Sequence, residues 1–301
     1  FFPILVSNGQ ETPYYPVSYR VFNPFLLNPA IAGSKDYLSV DILAGSQGKS
    51  ASQILSSNTR LWKKTQSFVT SPGVTEFTRI GLGGALFNDV NGFSRNIGLS
   101  GTGSYHQPLS NKMVSFLAFG ASVKAVYNRY SGDPEAGTPE KSTFFPNIDA
   151  GIYYYDASLF AGISAVNILG NPEGNDSLSV VPVSREYFFI GGYKILLSKP
   201  LGIVLEPSVI LNVDDSLSFE IRELLQPCLR LYAGNFSVGT FFHSFDEISF
   251  LFQYRYARFY IGAYFALPKN SPFYKKPLTT EFTFGLNFLT NKSGIDWYGH
   301  W

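Results

Sequence analysis

LAFGASVKAVYN (residues 117–128) decides the fold. Its odd positions read Leu117, Phe119, Ala121, Val123, Ala125 and Tyr127, and its even positions Ala118, Gly120, Ser122, Lys124, Val126 and Asn128. A period of two means strand, because successive side chains leave a pleated backbone on opposite faces. The pattern recurs outward in the chain. Leu201, Ile203, Leu205, Pro207, Val209 and Leu211 oppose Gly202, Glu206, Ser208 and Asn212. Leu217, Phe219, Ile221, Leu225, Leu229 and Leu231 oppose Glu220, Arg222, Gln226, Cys228 and Arg230. Phe250, Phe252 and Tyr254 oppose Ser249, Leu251, Gln253 and Arg255, and Phe282, Phe284, Leu286 and Phe288 oppose Thr283, Gly285 and Asn287. Strands are expected at 37–45, 52–62, 77–88, 95–107, 113–129, 146–155, 158–168, 186–198, 201–213, 217–233, 235–244, 247–256, 258–267 and 280–289, fourteen in all.

A soluble sandwich and a membrane barrel both alternate. Two observations favour the barrel. Several strands exceed the usual length of about 5–6 residues. The non-apolar faces carry Gly, Ser, Tyr and scattered charges, with no dense Lys/Glu surface. Lys124, Glu206, Arg230 and Arg255 all fall on that face, the predicted lumen; Glu223 is the exception, placed near the outer rim. An even strand number is what bacterial single-chain barrels use. Connections at 155–157, 198–200, 234 and 256–257 are short, whereas 130–145, 169–185 and 268–279 are long. Short turns belong to the periplasmic rim and long loops to the exterior, which puts both termini in the periplasm. The fold class is therefore all-β, a transmembrane antiparallel barrel of about 14 strands.

Composition agrees. Of 301 residues, 45% are hydrophobic and 17% aromatic, but only 15% charged, against about 25% in a typical soluble domain. No apolar run approaches the roughly 20 residues of a spanning helix. A net charge of +1 offers no field for nucleic acid. The single Cys228 excludes an intrachain disulfide framework.

The opening FFPILVSNGQ (1–10) reads as a signal-peptide remnant, followed by an N-terminal periplasmic segment (11–36), the barrel (37–289) and a periplasmic tail (290–301). Within the second segment, YRVFNPFLLNPAIAG (19–33) holds two Asn-Pro pairs five residues apart. Asn-Pro favours a turn and disfavours helix before the proline. Physically this is a rigid, turn-rich lead into the first strand, suited to plugging the periplasmic mouth.

FNPFLLNPAIAG also resembles the opening motif of the PorP/SprF family of Bacteroidetes outer-membrane proteins. The resemblance continues through GLGGALFNDVNGFS, with its Asn-Asp-x-x-Gly turn, then SYHQPLS, PNIDAGIYYYDASLFAGISAVNIL, EYFFIGGYKI and the closing FTFGLNF. Arg20 and Ile31 depart from it, standing where aromatic residues are expected. The resemblance implies a Gram-negative outer-membrane component of the type IX secretion system. Such a component binds a secreted, adhesin-like surface protein through that protein's C-terminal domain, contacts periplasmic ring components, and supports export, anchoring or gliding motility. Carried over residue by residue, the family motif is Phe22, Asn23, Pro24, Asn28, Pro29, Ala30 and Gly33, which would face a periplasmic partner. The alternative is a passive pore or small-molecule transporter.

Catalytic and cofactor chemistry is poorly supported, so the chain is expected not to be an enzyme and to need no cofactor. The histidines are His106, His243 and His300. Ser237 and His243 share a face, but six residues of strand span about 20 Å, far beyond hydrogen-bond reach. Scattered histidines make no metal site. GLGG (81–84) lacks the spacing of a dinucleotide loop. Aromatic residues near strand ends fit interfacial belts beside outer-membrane lipid.

Overall fold

The computed structural model describes residues 17–35, 37–48, 50–62, 77–110, 115–131, 140–170, 185–214, 225–242, 247–256, 258–268 and 278–288. The signal remnant, the C-terminal tail, Glu223, His243 and His300 lie outside the described residues.

All the strands described belong to one antiparallel sheet: β1 (Leu38–Gln47), β2 (Ser50–Trp62), β3 (Phe77–Asn91), β4 (Ser94–Pro108), β5 (Ser115–Tyr130), β6 (Lys141–Asp156), β7 (Leu159–Val166), β8 (Glu186–Tyr193), β9 (Ile195–Ser198), β10 (Ile203–Asp214), β11 (Leu225–Ala233), β12 (Phe236–Phe241), β13 (Glu247–Tyr256), β14 (Phe259–Pro268) and β15 (Thr279–Phe288). The sheet closes on itself: β1 pairs with β15 from Leu38↔Phe288 to Gln47↔Thr279, and β10 pairs with β11. Segments β8 and β9 lie end to end along the same side of β10, interrupted at Lys194, so they count as one strand. The result is a closed barrel of fourteen strands.

Strand boundaries differ from expectation in places with identifiable causes. β3 runs on through Asn88, Asp89 and Val90, and the expected turn narrows to Gly92-Phe93, with Asn91 paired to Ser94. Gly92 sits at φ +55°, which a two-residue hairpin loop requires. β6 begins at Lys141 instead of residue 146, because Pro146 is tolerated opposite Ala125 and the ladder continues to Tyr130↔Lys141. From residue 130 onward, tight connections gather at the rim where β1 begins and β15 ends, here the terminal rim. The longer ones gather at the opposite loop rim. Before residue 130 the sizes reverse: β1–β2 and β3–β4 turn tightly at the loop rim, while β2 ends at Trp62 and β3 begins at Phe77 on the terminal rim.

The alternation of polarity becomes an inside and an outside. Val123 is 63% exposed and its neighbour Ser122 only 3%. Leu86, Leu99, Phe119, Phe144, Phe250 and Phe282 point outward like Val123. A closed sheet with an apolar outer belt is a membrane-spanning surface, since its ladders pair strand N–H and C=O groups within the wall. Among the described residues no helix is long and apolar enough to span a bilayer. Inside, the buried residues are mixed: Lys124, Glu206 and Arg230 sit with Ser, Asn and Tyr in the lumen.

Because Val123 lies midway along β5 on the outward face, Val123→Arg should destabilise the barrel by about 2–4 kcal/mol. Urea titration of protein folded into phosphatidylcholine vesicles reads this directly, and an unchanged midpoint would mean that residue 123 does not meet hydrocarbon.

Candidate functional site: a lumenal plug between two chambers

The lumen is crossed by residues 17–35. They form a short helix, α1 (Val17–Phe22), and two 3₁₀ turns at Pro24–Leu26 and Pro29–Ile31. Each proline of the Asn-Pro pairs opens one turn, where its missing N–H costs nothing. The stretch expected at the periplasmic mouth thus lies, over these residues, within the barrel wall. Phe22, Asn23, Asn28, Pro29, Ala30 and Gly33 are buried, and Pro24 is half-buried.

Asn28 explains why the second turn is placed where it is. Its side chain, fully buried, accepts from Ala30 N (3.0 Å) and donates to the carbonyls of Ile152 (3.1 Å) and Ile163 (3.2 Å) on β6 and β7. The wall makes room for it: a Cβ at Gly151 would collide with the Asn28 amide, and one at Gly120 would collide with the Pro29–Ala30 backbone. Ser164 donates to the Leu27 carbonyl at 2.7 Å. Tyr260 donates to the Asp41 carboxylate on β1, and Asn23 would donate to it at 2.9 Å once its amide is turned to put the nitrogen toward β1. Phe22 packs on the Tyr260 ring at 6.3 Å. Arg20 donates to Gln226 on β11 and lies over the Phe188 ring at 6.0 Å.

A third anchor holds the exit of the plug. Arg60 donates to the Gly33 carbonyl (2.9 Å) and to the Tyr155 hydroxyl. Tyr155 is 3.0 Å from His106 Nδ1, while His106 Nε2 is 2.8 Å from the Ala32 carbonyl. The network is consistent if Nε2 carries the proton and donates to Ala32, leaving Nδ1 to accept from Tyr155. Ser104 donates to Ala32 as well, and Arg60 lies over Phe116 at 5.0 Å. His106 therefore ties the exit of the plug to the wall.

Anchors on β1, β2, β4, β6, β7, β11 and β14 surround the plug, and it divides the lumen. On the loop-rim side a chamber has an apolar floor of Phe25, Leu26 and Leu27, with Asp89, Lys124, Asp149 and Glu186 in its wall. Lys124 pairs with Asp149 at 2.8 Å. On the terminal-rim side a second chamber includes Arg20, Lys35, Lys194, Arg230 and Arg255. Arg230 donates to Glu206, which also accepts from Tyr232 at 3.0 Å. So the four polar residues read as lumenal fall into two places: Lys124 on one side of the plug, and Glu206, Arg230 and Arg255 on the other. Arg20, Asp41, Arg60 and His106 were not singled out as site residues. A charge at lumen parity in an otherwise apolar strand, as at Asp41, is the signal that was available. Among the described residues no group of His, Cys, Asp and Glu is arranged to hold a metal ion.

Residues 8–292 match the family described as Type IX secretion system membrane protein PorP/SprF. The chain belongs to the PorP/SprF family. It is accordingly an outer-membrane protein, and as a member of that family it works with other components of the secretion system. No curated protein sequence matches it significantly. Solved barrels of similar fold include the KdgM porin (8% identity, 84% of this chain and 99% of that one, TM-score 0.40). Two more are CdiB from Acinetobacter baumannii (10%, 84% and 60%, TM-score 0.46) and Omp33 from the same organism (10%, 85% and 100%, TM-score 0.35). For this PorP/SprF chain, the Asn-Pro motif is the plug's own docking element.

Asn28→Ala deletes three hydrogen bonds at a site closed to water and should weaken plug docking by about 1–3 kcal/mol. Limited trypsinolysis checks this: cleavage after the now accessible Arg20 should accelerate. Removing residues 17–35 should convert a silent barrel into one passing steady current in planar bilayers. Silence in the deletion would mean that the plug is not what closes the lumen.

Proposed function

We propose that this chain is a non-enzymatic receptor and anchor of the type IX secretion system, its loop rim facing the cell exterior and its terminal rim the periplasm. The observation that carries the reading is the plug: residues 17–35 are bonded to strands all around the lumen, which supports a floor beneath the loop-rim chamber over an open conduit. Above that floor, the loop-rim chamber pairs an apolar base with polar and charged walls, the surface composition that holds a folded protein edge by shape and hydrogen bonds. Its occupant is the C-terminal domain of a secreted, adhesin-like surface protein of a Bacteroidetes cell, and its engagement supports export, anchoring and gliding motility. Periplasmic ring components meet the opposite face. The motif residues act on that contact by fixing the plug, since their side chains are taken up inside the wall. A passive pore is disfavoured by the same floor.

Deleting the gene should leave particular surface proteins unexported or shed into the medium, and affinity purification from detergent-solubilised outer membrane should co-elute them by their C-terminal domains. If every surface protein stays attached in the deletion strain, the receptor reading fails. The paired replacements Asp89→Lys and Glu186→Lys, on the chamber wall, should reduce co-elution without changing the folded yield of the barrel.

A further inference from the structure

The outer surface of the wall carries a feature that neither chamber explains. On the face that meets hydrocarbon, Leu55, Leu86 and Leu99 stand side by side on β2, β3 and β4. Nearer the loop rim, Ile97, Tyr127 and Phe144 form an exposed row across β4, β5 and β6. One step further along each strand, two residues or about 7 Å, the character changes. Gln53 follows Leu55, Asn88 follows Leu86, Arg95 follows Ile97 and Arg129 follows Tyr127. These side chains are tied into a band. Asn88 donates to Gln53 at 3.2 Å, Arg95 Nε donates to Asn88 Oδ1 at 2.8 Å, and Arg129 Nε donates to Glu140 Oε1 at 2.6 Å.

Arg95 and Arg129 stand directly opposite each other in the β4–β5 ladder. Like charges in that position destabilise an antiparallel pair unless something answers them. Glu140 answers one of the two. Among the described residues Arg95 has no acidic partner and leans on the neutral amide of Asn88. The three charges therefore sum to one positive. Both guanidinium groups are fixed through Nε, and among the described residues no partner takes their terminal Nη groups. Two pre-oriented forks beside each other match the oxygens of a phosphate. Depth agrees with that ligand. Arginine on the lipid face costs several kcal/mol at the bilayer midplane and almost nothing near the interface, so a pair just beyond the last apolar row sits at headgroup level.

We infer that Arg95 and Arg129 bind the phosphate of an anionic membrane lipid, whose acyl chains run down the wall over Ile97, Tyr127 and Phe144. The occupant is a lipid and not free phosphate because the charged pair adjoins the row that hydrocarbon covers, and only a ligand carrying chains gains from both. A phosphate monoester, with three oxygens to share between two forks, suits the pair best. The site lies outside the lumen, so it stands or falls independently of the receptor chamber. Arg79, exposed at the terminal rim and donating to Tyr105 and Gln107, supplies the control for an ordinary interfacial arginine.

Native mass spectrometry of the full chain in an uncharged detergent tests it. The probes are dioleoyl phosphatidic acid, dioleoylglycerol (the same chains without the phosphate) and inorganic phosphate. The barrel should retain phosphatidic acid in preference to dioleoylglycerol, and inorganic phosphate at the same concentration should not displace it. Arg95→Gln combined with Arg129→Gln should weaken phosphatidic acid binding about tenfold or more, in a barrel of unchanged heat-modifiable gel mobility. Arg79→Gln should leave that binding as it was. Equal retention of the two lipids, no retention of either, or binding indifferent to the Gln pair would overturn the inference. So would a loss as large in Arg79→Gln, which would mean that any rim arginine serves, or displacement by inorganic phosphate, which would mean that the pair takes the free anion.

Discussion

Hydrocarbon offers a peptide group nothing to bond with, and that constraint organises the whole chain. An unpaired N–H or C=O in the bilayer costs several kcal/mol, so a strand sheet is admissible there only without edges. The β1–β15 ladder, continuous over ten residue pairs, and the β10–β11 ladder supply the closure. Once the sheet is closed, each strand has only two kinds of surroundings, and the two-residue period of the sequence is forced to sort itself between lipid and lumen. A slip of one residue in β5 would send Val123 inward and Ser122 and Lys124 into lipid, so register is held by solvation as much as by hydrogen bonds.

Closure creates a second problem. Fourteen strands enclose more space than their own inward side chains fill, and a lumen lined by Asn, Ser, Tyr and ionised groups needs partners for all of them. The plug answers with backbone. Leu27, Ala32 and Gly33 each present a carbonyl to a wall donor, and Asn28 supplies both donor and acceptor. Prolines at the starts of the turns reduce the number of N–H groups the plug must satisfy in a crowded space. Asn23 and Asn28 stand just before those prolines and face the wall with side-chain amides. The motif is thus a way of threading irregular backbone through a closed lumen with few orphaned groups.

Much of the fold was legible because it depends on local periodicity. The strands from 77 to 129 and from 247 to 288 could be read from alternation alone, and the ladder positions of Lys124, Glu206 and Arg230 follow from parity. The plug's depth was not legible for an equally physical reason. An Asn-Pro turn looks the same in solvent as it does inside a barrel, since its geometry is set by two residues and its surroundings by strands more than a hundred residues away, as with Asn28 and Ile152. The pairing of Lys124 with Asp149 likewise needs the β5–β6 register, in which Ser122 stands opposite Asp149. The tightness of the Gly92-Phe93 hairpin was missed because Asn88 and Asp89 favour turns locally, yet the β3–β4 ladder carries them as strand.

The position of Arg20 ties these threads together. It departs from the aromatic residue expected at that place in the family motif, and an aromatic ring there would have filled space without adding charge. The guanidinium instead lines both chambers, reaching Gln226 on β11 and the face of Phe188 on β8. A buried cation at the centre of the lumen is tolerable only if charge and hydrogen bonding around it are arranged to answer it. In this barrel Asp89, Asp149 and Glu186 occupy the chamber on one side, with Lys124 as a partner, and cations dominate the other. Among the described lining residues, acids gather on one side of the plug and cations on the other. A displaced plug would carry Arg20 out of this arrangement, so electrostatics, together with the hydrogen bonds of Asn28, Ala32 and Gly33, holds residues 17–35 in register with the wall.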